Sequence, residues 1–198
     1  MMKHLLTAAA LTFAMPALAN AVVGQPAPAF TATDSNGRSV SLSDYKGKTV
    51  VLEWTNAECP FVQKYYSGGD MQKLQAEARA QGVVWLNVNS GAPGKQGAVS
   101  GAEANAKMKQ QGFRSTAYLL DGDGAVGRAY GAKTTPHMFV IDPKGTLVYA
   151  GGIDSIPTAN PNDISKAQPL VKQALADVAA GKAVATPTSK PYGCSVKY

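Results

Sequence analysis

The chain has 198 residues, 45% of them hydrophobic, with 19 Lys and Arg against 13 Asp and Glu and a formal net charge of +6. That length and apolar content suit one domain with its own core, and the basic residues are scattered among acids, so no nucleic-acid partner is expected. With 2 Cys and 2 His there are too few ligands for a zinc centre of several such residues, and neither a metal nor another cofactor is expected.

Lys3 and His4 precede an apolar run over 5–19, followed by small residues at Ala19 and Ala21. This is the layout of a secretory signal peptide over 1–21. The run is shorter than the roughly 20 residues of a membrane-spanning helix. A cleaved leader, a periplasmic or secreted chain and no stable membrane insertion are therefore expected, with an uncleaved anchor as the alternative.

Segments 30–34 and 39–42 read as strands joined by a turn at Ser35, Asn36, Gly37 and Arg38. Segment 49–54 is nearly continuous apolar sequence rich in valine, the pattern of a strand buried on both faces. Pro60 opens a helix to about Tyr66, Gly68 and Gly69 break it, and Asp70 is suited to cap a second helix over 71–81. A second buried strand follows at 83–89, then a loop and a polar, alanine-rich helix at 101–111. Strands are expected at 116–120, 137–141 and 146–150, and a last helix at 164–180 precedes a tail ending in PYGCSVKY. This order predicts an α/β fold with a central mixed sheet flanked by helices and an N-terminal β-hairpin extension. The domain would span 22–185 and the tail 186–198. GAPGKQG lacks the ending of a phosphate loop and DGDG lacks the further oxygen ligands of a calcium loop, so both read as loops or turns.

Cys59 lies directly after the first buried strand and before Pro60, a residue favoured at the first helical position. A sulfur there meets unpaired N–H groups and the positive end of the helix dipole, which favour the thiolate, the reactive form. A free cysteine titrates at about 8.5 and such a position lowers it. Position alone also fits a cysteine that merely packs, or half of a structural disulfide. Cys59 and Cys194 allow one internal pairing, and export would carry them to a compartment where paired thiols persist as disulfides.

VVLEWTNAECPFV resembles the strand, turn and helix of the thioredoxin-like redoxins, including the alkyl hydroperoxide reductase and thiol-specific antioxidant branch. Commoner members carry Trp-Cys-x-x-Cys; here Cys59 falls on the nucleophile, Glu58 on the tryptophan and Val62 on the second cysteine. DGDGAVGRAYGAKTTPHMFVIDPKGTLVYAGGID resembles the segment whose cis-proline loop faces the active cysteine, with Pro136, after Thr135, on that proline. The resemblance thus extends over nearly the whole expected mature chain. It implies a thioredoxin-like fold and an antioxidant-type thiol-disulfide oxidoreductase with Cys59 as nucleophile. Thr135 and Pro136 would present backbone to an incoming peptide or disulfide, with Trp54, Asn56, Pro60 and His137 completing the substrate surface.

Several of these assignments have a second reading in the sequence. Pro136 also fits an ordinary trans proline at a strand edge. Glu53 falls on the buried acid that relays protons to the cysteines, or points to solvent at the strand end. His137 polarises the thiolate or serves only packing. With Val62 in the local partner's place, Cys194 is the internal thiol able to attack an oxidised Cys59, and PYGCSVKY resembles the Gly-Cys-x-x-Lys ending of a subset of these redoxins. A permanent bridge pinning the tail is the alternative, contributing roughly 4 to 5 kcal/mol in the entropic picture.

Peroxiredoxins proper carry a hydroxyl residue where this chain has Asn56 and a proline where it has Leu52. That departure shifts the expectation from peroxide reduction toward thiol-disulfide exchange, although the Asn56 amide could donate one activating bond. A cysteine hydrolase using Cys59 and His137 finds no oxyanion-hole motif. The expected partner is a thiol or disulfide protein or a small thiol. The rival functions are a thiol peroxidase, in which a hydroperoxide oxidises Cys59 and Cys194 condenses with it, and a non-catalytic thioredoxin-fold binding module.

Overall fold

In the computed structural model, which describes residues 20–198, the elements in chain order are β1 (Thr31–Asp34), β2 (Ser39–Ser41), β3 (Val50–Trp54), α1 (Pro60–Tyr66), α2 (Asp70–Ala80), β4 (Val84–Asn89), α3 (Gly101–Gln110), β5 (Ala117–Leu120), α4 (Ala125–Tyr130), β6 (Thr134–Thr135), β7 (His137–Ile141), β8 (Leu147–Gly151), α5 (Leu170–Ala179) and β9 (Cys194–Ser195). The basic and apolar stretch of the expected leader, 3–19, lies outside the described residues. Among those residues no helix is long and apolar enough to cross a membrane.

Seven strands form one sheet in the order β2-β1-β5-β4-β3-β7-β8, and β6 pairs with β9 in a separate two-stranded piece. Strands β3, β4 and β5 run parallel, while β7 and β8 continue one side antiparallel and the β1-β2 hairpin closes the other. Every residue of β3, β4 and β7 is buried, as largely apolar strands are when both faces of the sheet are covered.

Successive side chains on a strand point to opposite faces, and that parity decides what reaches the site. On one face Val51, Met138 and Val140 pack with Val62 and Tyr66 of α1, Met71 of α2 and Val171 of α5. On the other Val50, Leu52, Trp54 and Phe139 pack with Val126 and Tyr130 of α4 and, less deeply, with Phe30. The hairpin turn is held by Asp34, whose Oδ1 accepts from the backbone N–H of Asn36 and Arg38 at 2.9 Å each.

Three expected elements take a different form. Asp70 is the first residue of α2 rather than its cap, and Gly69, at φ 88°, holds the cap position in the left-handed region that glycine enters without cost. The single helix expected over 164–180 is two elements, a 3-10 turn at Pro161–Lys166 and α5 from Leu170. Pro169 divides them, because it donates no N–H and disfavours helical backbone at the preceding residue. Helix α4 was not expected at all: six residues between Gly124 and Gly131, both at positive φ, are too few to show a period.

The tail does not hang free. The N–H of Ala150 donates to the Pro187 carbonyl at 3.1 Å and the N–H of Ser189 to the Ala150 carbonyl at 3.2 Å, so the tail follows the edge of β8 before crossing to β6.

Candidate active site

Cys59 caps the N-terminus of α1, with Pro60 as the first helical residue. The turn before it is fastened by Asn56, whose carbonyl accepts from the Cys59 N–H at 3.0 Å and whose side-chain Oδ1 accepts from the Glu58 N–H at 2.9 Å. The Cys59 carbonyl in turn accepts from the N–H groups of Val62 and Gln63. The side chain points inward: Cys59 is 0% exposed, and its Sγ donates to the Thr135 carbonyl at 3.0 Å. The Thr135–Pro136 peptide bond is cis.

Strand β9 lies antiparallel on β6 with Cys194 opposite Thr135 and Ser195 opposite Thr134. Both cysteines are free thiols, and both meet Thr135, Cys59 through its Sγ and Cys194 as its strand partner. Burial pushes the Cys59 thiol up, but hydrogen bonds from the side chains of Cys194 and Thr135 and from the backbone N–H groups of Cys194 and Val62 outweigh it. The net result is a thiol held below its ordinary value. Burial, the hydrogen bond to Cys59 and the Cys59 charge push Cys194 up to about 11. One sulfur is thus disposed to be a thiolate and its neighbour a thiol, the arrangement from which a disulfide forms and opens by exchange.

Glu53 is 0% exposed, so of the two orientations the sequence allowed it takes the buried one. Its carboxylate accepts from Tyr66 Oη at 2.9 Å, Trp85 Nε1 at 2.7 Å and Gln75 Nε2 at 3.2 Å. Burial pushes it up to about 7 against these donors and Asn87. Through Tyr66 it is bonded to α1, the helix that Cys59 caps.

Trp54 and His137 lie on the far face of the sheet from the Cys59 side chain, and Trp54 lines a small cavity with Asn56, Thr135 and Ser195. Trp54 is 0% exposed, donates through Nε1 to Ser90 Oγ at 2.9 Å and packs on Tyr130 and Phe139. His137 stands beside it across β3 and β7, its ring 4.3 Å from that of Phe139. Both project to the sheet face opposite Glu53, α1 and the buried Cys59 side chain, which strand parity imposes. His137 Nδ1 accepts from the Lys133 N–H at 3.2 Å, and burial followed by the Lys133 charge lowers it to about 4, so it is a neutral acceptor at neutral pH. Asn56 serves the turn described above and is buried. Pro60 is exposed beside Cys59, while Thr135 and Pro136 are buried, and the strand edge of Thr135 is already occupied by the chain's own tail.

Further residues, not apparent from sequence, flank the site. Lys64 of α1 is buried, with Nζ 3.1 Å from Asp154 Oδ2, 3.2 Å from the Ile156 carbonyl and 3.4 Å from Tyr192 Oη. Tyr65 and Tyr192 also donate to the Asp154 carboxylate. The Tyr192 ring meets Phe61 edge-on at 5.9 Å. A lysine five positions after the cysteine on a short helix reads as a solvated charge, and only the fold brings Asp154 and Tyr192 to it.

The sequence profile of the AhpC/TSA family matches residues 23–150, a stretch that holds Cys59, Thr135 and Pro136 and stops before Cys194. Thiol-disulfide oxidoreductase ResA of Bacillus subtilis (strain 168) is 32% identical over 125 residues, covering 63% of this chain and 64% of ResA. ResA of Geobacillus thermodenitrificans (strain NG80-2) is 31% identical over 126 residues, covering 63% of this chain and 66% of that protein. The chain thus spans slightly less than two thirds of the length of these curated relatives. Among solved structures, a hypothetical protein of Sinorhizobium meliloti 1021 superposes with a TM-score of 0.76 at 25% identity, covering 89% of this chain and 94% of that one. An uncharacterized conserved protein of Geobacillus kaustophilus superposes with a TM-score of 0.78 at 26% identity, covering 89% and 92%.

Proposed function

The chain belongs to the AhpC/TSA family, and on that footing we propose that it is a thiol-disulfide oxidoreductase whose working couple is Cys59 with Cys194. The observation that carries this reading is the pair itself: two free thiols that both meet Thr135, one held below and the other pushed above the ordinary thiol range. Internal exchange needs a thiolate, a nearby sulfur and a proton acceptor, and the lowered Cys59 thiol with Cys194 beside it supports the first two. The activity named for the ResA relatives agrees with it.

In this reading Cys59 is the sulfur that carries negative charge in the reduced form, and Cys194 closes the disulfide with it. Glu53, at about 7, holds or releases a proton in the neutral range beneath the helix that Cys59 caps. The partner class is a thiol or disulfide, on a protein or a small molecule. The reading includes an exported, periplasmic or secreted chain, for which the basic and apolar pattern over 3–21 is the support.

The test is the reduction potential of the Cys59 and Cys194 pair, read by thiol alkylation and mass spectrometry across glutathione buffers. A bridge that opens above about −250 mV is the expected result for an exchange couple. One that stays closed below about −300 mV is a structural staple and overturns the reading.

A further inference from the structure

Cys59 has no solvent-exposed surface, whereas Cys194 is only partly covered. What hides Cys59 on the outer side is the tail that carries Cys194. Gly193 brings that tail into contact: a Cβ built there would come 2.1 Å from the Thr135 carbonyl oxygen and 3.4 Å from Phe61 Cβ, and its φ of 131° is itself disfavoured for other residues. On one side of Cys194 the strap is tied through Tyr192 to Lys64 and Asp154. On the other, the Val196 N–H donates to the Lys133 carbonyl at 3.0 Å, the Lys197 carbonyl accepts from the Ala92 N–H at 2.8 Å and Tyr198 Oη donates to the Ala132 carbonyl at 2.8 Å.

Exchange requires the incoming sulfur to reach the sulfur it attacks, so access decides which one of a disulfide is hit. Cys59 lies in the buried cluster with Val62, Tyr65 and Met138, and a nucleophile aimed at it from behind the S–S bond would have to cross that core. Resting on the couple proposed above, we infer that external thiols exchange at Cys194, with Cys59 as the internal leaving group. The edge of Thr134 and Thr135 is filled by Cys194 and Ser195, so an extended peptide finds no free strand position there. The substrates that fit are small thiols, or cysteines on flexible tips, that reach Cys194 from solvent.

The step balances as follows. In the oxidised chain a thiolate RS⁻ attacks Cys194 Sγ, forming an RS–Cys194 bond while the Cys194–Cys59 bond breaks and its electron pair leaves on Cys59. A second thiolate attacks the R sulfur, RSSR departs, and Cys194 leaves as a thiolate that takes a proton from solvent. Two external thiols are oxidised to one disulfide and the chain's disulfide is reduced to two thiols. An external disulfide reverses the path and restores the bridge.

The experiment uses the full chain, oxidised to its internal disulfide and pulsed with reduced glutathione, then quenched in acid and mapped by peptide mass spectrometry. The expected adduct is glutathione on Cys194, at least ten times more abundant than on Cys59. Adduct on Cys59 in equal or greater amount overturns this inference and leaves the couple standing. A chain that forms no internal disulfide, or whose disulfide glutathione does not open, overturns the couple and the inference together. Gly193→Ala, which lifts the strap from Thr135, is expected to move adduct toward Cys59; an adduct pattern unchanged from the wild type in this variant counts against the strap as the cover.

Discussion

Lys64 and Tyr192 tie the helix that carries the reactive cysteine to the tail that covers it, Nζ standing 3.4 Å from Oη with the Asp154 carboxylate between their partners. The charge is wholly out of solvent, and a buried charge is tolerated only while its partners remain. Lys64→Met leaves Asp154 a buried carboxylate with only tyrosine donors from side chains, and breaking a buried pair in this way typically costs about 3 to 5 kcal/mol. Urea unfolding measures it. A loss under about 1 kcal/mol would show that water reaches the network.

The neighbouring thiol heads the list of groups that lower Cys59. Cys194→Ala removes that donor, so the Cys59 titration is expected to move upward, toward the ordinary thiol value. The thiolate absorbance near 240 nm, followed against pH in the single-cysteine variant and in the reduced wild type, reads the shift directly. An unchanged midpoint would assign the lowering to Thr135 and the backbone instead.

Glu53 and His137 push stability in opposite directions over nearly the same pH range. Glu53 is raised from 4.5 to about 7, so between those values the unfolded chain releases a proton that the folded one keeps, and stability falls as pH rises. His137 is lowered from 6.5 to about 4, so there the unfolded chain binds a proton that the folded one does not, and stability rises with pH. Each contributes roughly 3 kcal/mol across its window. The wild type is expected to be nearly flat from pH 4.5 to 6.5 on their account. Glu53→Gln should then expose a rising slope and His137→Asn a falling one in denaturant unfolding at stepped pH.

Gly127 lies inside α4, where alanine is by propensity worth about 1 kcal/mol more than glycine. The tail reverses that preference locally, because a Cβ would come 2.5 Å from Tyr198 Oη and 2.7 Å from Ser90 Oγ. Gly127→Ala is expected to dislodge Tyr198 rather than unfold the helix, leaving global stability within about 1 kcal/mol of the wild type. Faster amide hydrogen exchange over 192–198 is the readout; an unchanged rate would mean that the ring shifts and stays.

Strands β3, β4 and β7 were legible because burial on both faces leaves one signal, an apolar run, that needs no partner to interpret. The turn at Asp34 and the helix start at Pro60 were legible because their chemistry is local. Glu53 was ambiguous for the same reason its strand was clear: within a run buried on both faces nothing in the sequence says whether a lone acid finds donors, and here they come from Tyr66, Gln75 and Trp85 on three other elements. Trp54 and His137 were placed by nearness in sequence to Cys59 and Pro136, and parity along the strands sends their side chains to the sheet face opposite Glu53. The docking of the tail depends on Gly193 meeting Thr135 across a long stretch of chain, and a glycine near a C-terminus carries no such information by itself.

Thr135 receives the S–H of Cys59 on its carbonyl and pairs through its strand with Cys194. The two sulfurs are therefore referenced to one residue, not to each other across a hinge. A shift of the Thr135 backbone would alter the surroundings of both sulfurs at once.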